Sequence, residues 1–153
     1  MKAKTILFPT DFSHTGDAAL ELATMLARDS GANLMIVHVE EPPLAYGGGE
    51  LYYGIPEPAT ADLKKMLLEV KPTDPQVSYE HRLVTGDPAS ALVKLAEEEG
   101  VDMIVLGTHG RTGLFRLLMG SVAEAIVRRA KCPVLTFKKP AGHTAPTASS
   151  ESR

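Results

Sequence analysis

Met103-Ile104-Val105-Leu106-Gly107-Thr108-His109-Gly110, then nine residues, then Gly120-Ser121-Val122, is the stretch on which the fold turns. Met103 to Leu106 has no polar break, as in a strand buried on both faces. Val122 to Ala130 has helical spacing, so the segment runs strand, glycine loop, helix. A strand-to-helix turn needs only a few residues; this one spends about a dozen, with glycine at both ends. Glycine lacks Cβ and reaches φ > 0 without strain, so its backbone can pass close to a bulky anion. A helix opening at Gly120-Ser121-Val122 would aim free amides and the positive end of its dipole at that anion. Phosphate is the natural ligand, with the Ser121 hydroxyl and Arg111 as further contacts. With 13 glycines in the chain, a plain pair of turn glycines is the competing reading. The loop length and its basic Arg111 and Arg116 favour phosphate. This is not a Walker loop, because no lysine follows Gly120 until Lys131, nor is it G-x-G-x-x-G.

Outward from this segment, strands and helices alternate. Thr5 to Phe8 is an apolar strand ended by Pro9. Ser13 or Thr15 can cap a helix whose apolar positions Ala18, Leu22, Met25 and Leu26 lie on one face, with Gly31 closing it. Asn33 to Val39 is the second strand, and residues 40–59, rich in Pro, Gly and Tyr (Tyr46, Tyr52, Tyr53), form a long loop. A helix from about Ala59 to Val70 turns Leu63, Met66, Leu67 and Val70 inward. Val77 to Val84 alternates as the third strand. Asp87-Pro88 is an N-cap followed by proline at the first helical position, and Ala91, Leu92, Leu95 and Ala96 face inward until Gly100. Val134 to Phe137 is the last strand. The order βαβαβαβαβ predicts an α/β domain over residues 1–139: a Rossmann-like, three-layer, five-stranded parallel sheet with helices on both faces. Residues 140–153, rich in Ala, Ser, Thr and Pro, are expected to be a disordered tail.

Ligands of such sheets sit beyond the carboxyl ends of the strands, where the strand order reverses. If the first and fourth strands are neighbours there, Asp11 and the glycine loop share one crevice. Asp11 has a plainer use as cap of the first helix. His38 and His81 read as satisfied sheet residues and His109 as a loop histidine. No metal-ligand cluster and no catalytic triad can be argued from spacing. At 153 residues the chain suits one domain. A net charge of −3 and a pI near 5.9 speak against a general nucleic-acid surface. The basic start Met1-Lys2-Ala3-Lys4 precedes an apolar run too short for a signal peptide, and no stretch is long enough to span a bilayer. A cytoplasmic protein is expected. Cys132, the lone cysteine, reads as a small apolar residue at a strand start.

The same residues resemble the universal stress protein family. Ile6-Leu7-Phe8-Pro9-Thr10-Asp11-Phe12-Ser13 is similar to its first strand and acidic turn, and Asp102 to Arg111 to its fourth strand and glycine loop. Leu118-Met119-Gly120-Ser121-Val122-Ala123-Glu124 resembles its fourth helix, and Cys132-Pro133-Val134-Leu135 its last strand. The spacing G-x2-G-x9-G-Ser is that of the ATP-binding branch. The resemblance implies strand order 3-2-1-4-5, ATP, ADP or AMP in the crevice, possible Mg2+, and homodimers through Val134 to Phe137. Carried over, Asp11 would hold ribose or a hydrated metal, with Pro9 and Thr10 shaping that wall. Val39 would meet adenine through its backbone and Leu106 would pack on the purine or ribose. Gly107, Gly110, Gly120, Ser121 and Val122 would line the phosphates. Ala123 stands where many ATP-binding members carry a second hydroxyl. No residue beyond Asp11 is a candidate to orient water, so a binding protein in stress response, at most a slow ATPase, is expected. A nucleotide-independent dimeric scaffold and an ATP-cleaving enzyme are the alternatives. Expected partners are an adenine nucleotide and a second copy of the chain, with no nucleic acid and no membrane.

Overall fold

Apolar runs without alternation can only be buried on both faces, and the sheet is built that way. The computed structural model describes residues 3–13, 16–42, 59–108 and 120–138. The strands are β1 (Thr5–Pro9), β2 (Asn33–Glu40), β3 (Tyr79–Thr85), β4 (Met103–Gly107) and β5 (Val134–Phe137). Between them lie α1 (Asp17–Ser30), α2 (Thr60–Leu68), α3 (Pro88–Glu98) and α4 (Ser121–Arg129). All neighbouring strands pair parallel, in the order β3-β2-β1-β4-β5. The α/β architecture, the five-stranded sheet and its order are as the sequence predicts.

Two apolar layers flank the sheet. Ile6, Phe8, Leu34, Ile36 and Val105 point toward α1 and α2, while Leu7, Met35, Val37, Ile104 and Leu106 point toward α3 and α4. Each such side chain, fully buried, contributes about 1.5–3 kcal/mol. Asp102 secures the amino end of the sheet. Its Oδ2 accepts from Lys4 N at 2.9 Å and Thr5 N at 3.0 Å, tying the start of β1 beside β4. Those two amides hold the carboxyl below its ordinary range. Asp87 caps α3 by accepting from Ser90 N at 3.0 Å, with Pro88 next, as predicted; that amide lowers its pKa too.

Four local expectations change. α1 begins at Asp17 behind Gly16, whose position makes no side-chain cap; neither Ser13 nor Asp11 serves as one, and Thr15 lies outside the described residues. Its buried face is Ala19, Ala23, Thr24 and Ala27, not the predicted Ala18, Leu22, Met25 and Leu26, and Met25 is exposed. Small residues let the helix axis lie close to the bulky sheet, so Leu22 and Leu26 flank the contact instead of filling it. On α2, Leu63 and Leu67 are buried but Met66 is exposed. β3 starts at Tyr79 because Asp74 folds a turn that takes the Val77 amide; Val77 is still buried in the core. The proposed tail and most of the loop at 40–59 lie outside the described residues.

Candidate functional site

β1 and β4 run side by side at the centre of the sheet, paired through Ile6 with Met103 and Leu7 with Ile104. The helix that follows β1, α1, lies on one face of the sheet and the helix that follows β4, α4, on the other. Opposite departures open a crevice at the carboxyl ends of these two strands. Pro9, Thr10 and Asp11 stand at the carboxyl end of β1, and Gly107 and Thr108 at that of β4.

Thr108 is where the long excursion is closed. Its N–H donates to the Phe137 carbonyl at 3.1 Å, and its own carbonyl accepts from Gly120 N at 2.9 Å. The chain thus returns at Gly120 to the residue just past β4, and α4 starts at the crevice. Gly120 has φ −64° and ψ 159°, a conformation open to any residue. Freedom at positive φ is therefore not what this position uses. Space is: an added Cβ would lie 3.4 Å from the Thr108 carbonyl oxygen. Among the described residues no side chain caps α4, and its first intrahelical bond runs from Glu124 N to the Gly120 carbonyl. The amides of Ser121, Val122 and Ala123 accordingly have no intrahelical acceptor. Ser121 and Val122 are exposed, whereas Ala123 is buried with Ile126 and Leu106.

Across the crevice, Asp11 Oδ1 accepts from Ser13 N at 2.9 Å and Ser13 Oγ at 2.6 Å. Its carboxylate therefore shapes its own turn through Oδ1. The next residue, Phe12, has φ 66°, the left-handed region, and is the sole non-glycine there among the described residues. Its ring lies on that of His38, centroids 4.3 Å apart. His38 Nδ1 is 2.8 Å from the Thr10 carbonyl, so that nitrogen carries the proton.

At the end of β2, strand geometry places Val39. Val37 O accepts from Thr10 N at 2.8 Å, so the backbone groups of Val37 face β1, and those of Val39, two residues on, face the same way. In place of the next rung, the Thr10 carbonyl meets His38, and Phe12 N donates to Thr10 Oγ1 at 3.0 Å. Val39 presents one amide and one carbonyl beyond the end of β1. Leu106 is 4% exposed and belongs to the layer under α3 and α4. Of the residues expected at the site, Gly110 and Arg111 lie outside the described residues, as do His109 and the loop tyrosines.

The sequence profile of the universal stress protein family matches residues 2–138. The chain belongs to that family. Universal stress protein MJ0531 of Methanocaldococcus jannaschii is 36% identical over 144 residues, covering 90% of this chain and 83% of the relative. Universal stress protein MJ0577 of the same organism is 30% identical, and its solved structure superposes with a TM-score of 0.70 over 93% of this chain and 100% of that one. Another universal stress protein, solved in complex with cAMP, is 28% identical with a TM-score of 0.67, covering 92% and 100% of the two chains.

Within this universal stress protein, sequence reading placed Pro9, Thr10, Asp11, Val39, Gly107, Gly120, Ser121 and Val122 at one edge, and the fold brings them there. It missed Thr108, Phe12 and the use made of His38. The one available signal was a histidine interrupting the apolar run Leu34 to Val39. Among the described residues no helix is long and apolar enough to cross a membrane.

Proposed function

We propose that this universal stress protein is of the ATP-binding branch: a cytoplasmic homodimer whose adenine-nucleotide-bound state, not a reaction product, is its output. The observation that carries this reading is the uncapped start of α4, held at the crevice by the Thr108–Gly120 bond. Backbone amides at a helix N-terminus suit phosphate oxygens geometrically and electrostatically. Ser121, Val122 and Ala123 supply amides and Ser121 adds a hydroxyl; Gly110 and Arg111, outside the described residues, are assigned to the phosphates by the family resemblance. Gly120 contributes room, since its own amide is engaged. Asp11 Oδ2 takes ribose or water on a phosphate-bound Mg2+, and Val39 offers its backbone to adenine. A relative that binds cAMP supports an adenine-nucleotide ligand. β5 is an edge strand with Leu135 exposed on it, which supports pairing between two copies.

Among the described residues Asp11 is the one candidate at the crevice to orient an attacking water, and slow hydrolysis, with turnover below about 1 per second, is expected. Calorimetry with ATP on wild type and Gly120→Val tests the reading. Binding by wild type and its loss in the variant are expected. A wild type that ignores millimolar ATP overturns it in favour of a nucleotide-independent scaffold.

A further inference from the structure

We propose that His38 is a positioning residue of the nucleotide site: by taking the Thr10 carbonyl it ends the β1–β2 ladder early and leaves the Val39 backbone to read the base. The inference rests on the adenine-nucleotide reading above and adds to it the residue that prepares the base edge. The ladder runs regularly to Thr10 N on Val37 O. The following rung would join Val39 N to Thr10 O and Phe12 N to Val39 O. Both halves are intercepted, the first by His38 Nδ1 at 2.8 Å and the second by Thr10 Oγ1 at 3.0 Å. Two separate polar groups thus divert the same rung.

The diversion has a conformational cost. Phe12 sits at φ 66°, where a bulky residue is strained by about 1–3 kcal/mol. Its ring against His38 at 4.3 Å holds it there. His38 is 7% exposed, so its ring cannot swing away into solvent without opening the core. The result is a donor and an acceptor on one strand edge, facing the end of β1. An adenine edge matches that pair, since its N6 amino group donates and the neighbouring ring nitrogens accept. Hypoxanthine carries a carbonyl in place of the amino group and a proton on N1, so in the same orientation it sets acceptor against acceptor and donor against donor. His38 therefore acts through Val39 without touching the nucleotide.

The test compares ATP with ITP, which share ribose and triphosphate, by calorimetry on the full chain. Wild type is expected to prefer ATP. His38→Phe, which keeps the ring but loses the donor, is expected to reduce that preference on the order of tenfold while ITP affinity stays within about twofold. His38→Asn, whose amide nitrogen stands near the place of Nδ1, is expected to restore it. A folded His38→Phe that keeps the full preference, or loses ATP and ITP affinity alike, overturns the role of His38 alone. A wild type that binds both nucleotides equally overturns the reading of the base edge; one that binds neither overturns the nucleotide reading and this inference with it. Hydrogen exchange on the wild type needs no variant. The Val39 amide is expected to exchange quickly without ligand and slowly with ATP, and a protected amide in the free protein overturns the early end of the ladder.

Discussion

At Gly120 an added Cβ would just touch the carbonyl of Thr108, which accepts the bond that closes the glycine excursion. A single methyl at 3.4 Å is an ordinary contact, so Gly120→Ala is expected to bind ATP within about threefold of wild type. Gly120→Val adds two branches at the same point and is expected to weaken ATP at least about tenfold. Calorimetry reads both, with thermal melting to show that each variant folds. Of the two properties of glycine that the sequence suggests here, access to positive φ is not used at Gly120, whose φ is ordinary, while the missing Cβ faces the Thr108 carbonyl. That proximity is set by a residue twelve positions earlier across an excursion, which local spacing does not report. His38 was harder still. Its satisfied state was legible from its place in an apolar strand, but the acceptor it finds, Thr10, lies on another strand.

Among the elements, the strands and the start of α3 were the most legible. Apolar runs mark β1, β2 and β4, that of β2 broken only by His38, and Asp87-Pro88 marks the helix start with a side chain that does accept from Ser90. Replacing that cap in Asp87→Ala is expected to cost about 1 kcal/mol, measured by urea unfolding near neutral pH. Asp87 and Asp102 both titrate below their ordinary values, because amide donors favour the charged carboxylate. A lowered folded pKa adds stability above the unfolded value, about 4, and that contribution disappears as pH falls through the folded value. Unfolding free energy is therefore expected to be insensitive to these groups from about pH 5 to 7 and to fall below about pH 4. Asp102→Asn is expected to make the acid limb shallower; an unchanged limb contradicts the assignment. The face of α1 was misread because hydrophobic size was taken as the guide. A helix lying on a sheet of large side chains buries its alanines, and only the packed neighbour reveals that choice. The start of β3 depended likewise on a turn at Asp74 that the alternation of Val77 with Tyr79 concealed.

For the whole molecule, strand order follows from element order and handedness together with the family resemblance, and the crevice follows from strand order. β5 lies at the sheet's edge and carries exposed Leu135, while Val122 and Val127 are exposed on α4. Leu135→Lys is expected to turn the proposed dimer into a monomer by light scattering, because edge lysines oppose strand pairing. A wild type that scatters as a monomer at high concentration contradicts the dimer. In the proposed function the amides at the start of α4 hold the phosphates of an adenine nucleotide. A crystal grown in excess ATP measures this most directly. The predicted result is phosphate oxygens about 3 Å from the Ser121 and Val122 nitrogens, with adenine beside Val39. An empty crevice at saturating ATP, or a nucleotide bound elsewhere on the chain, would contradict it.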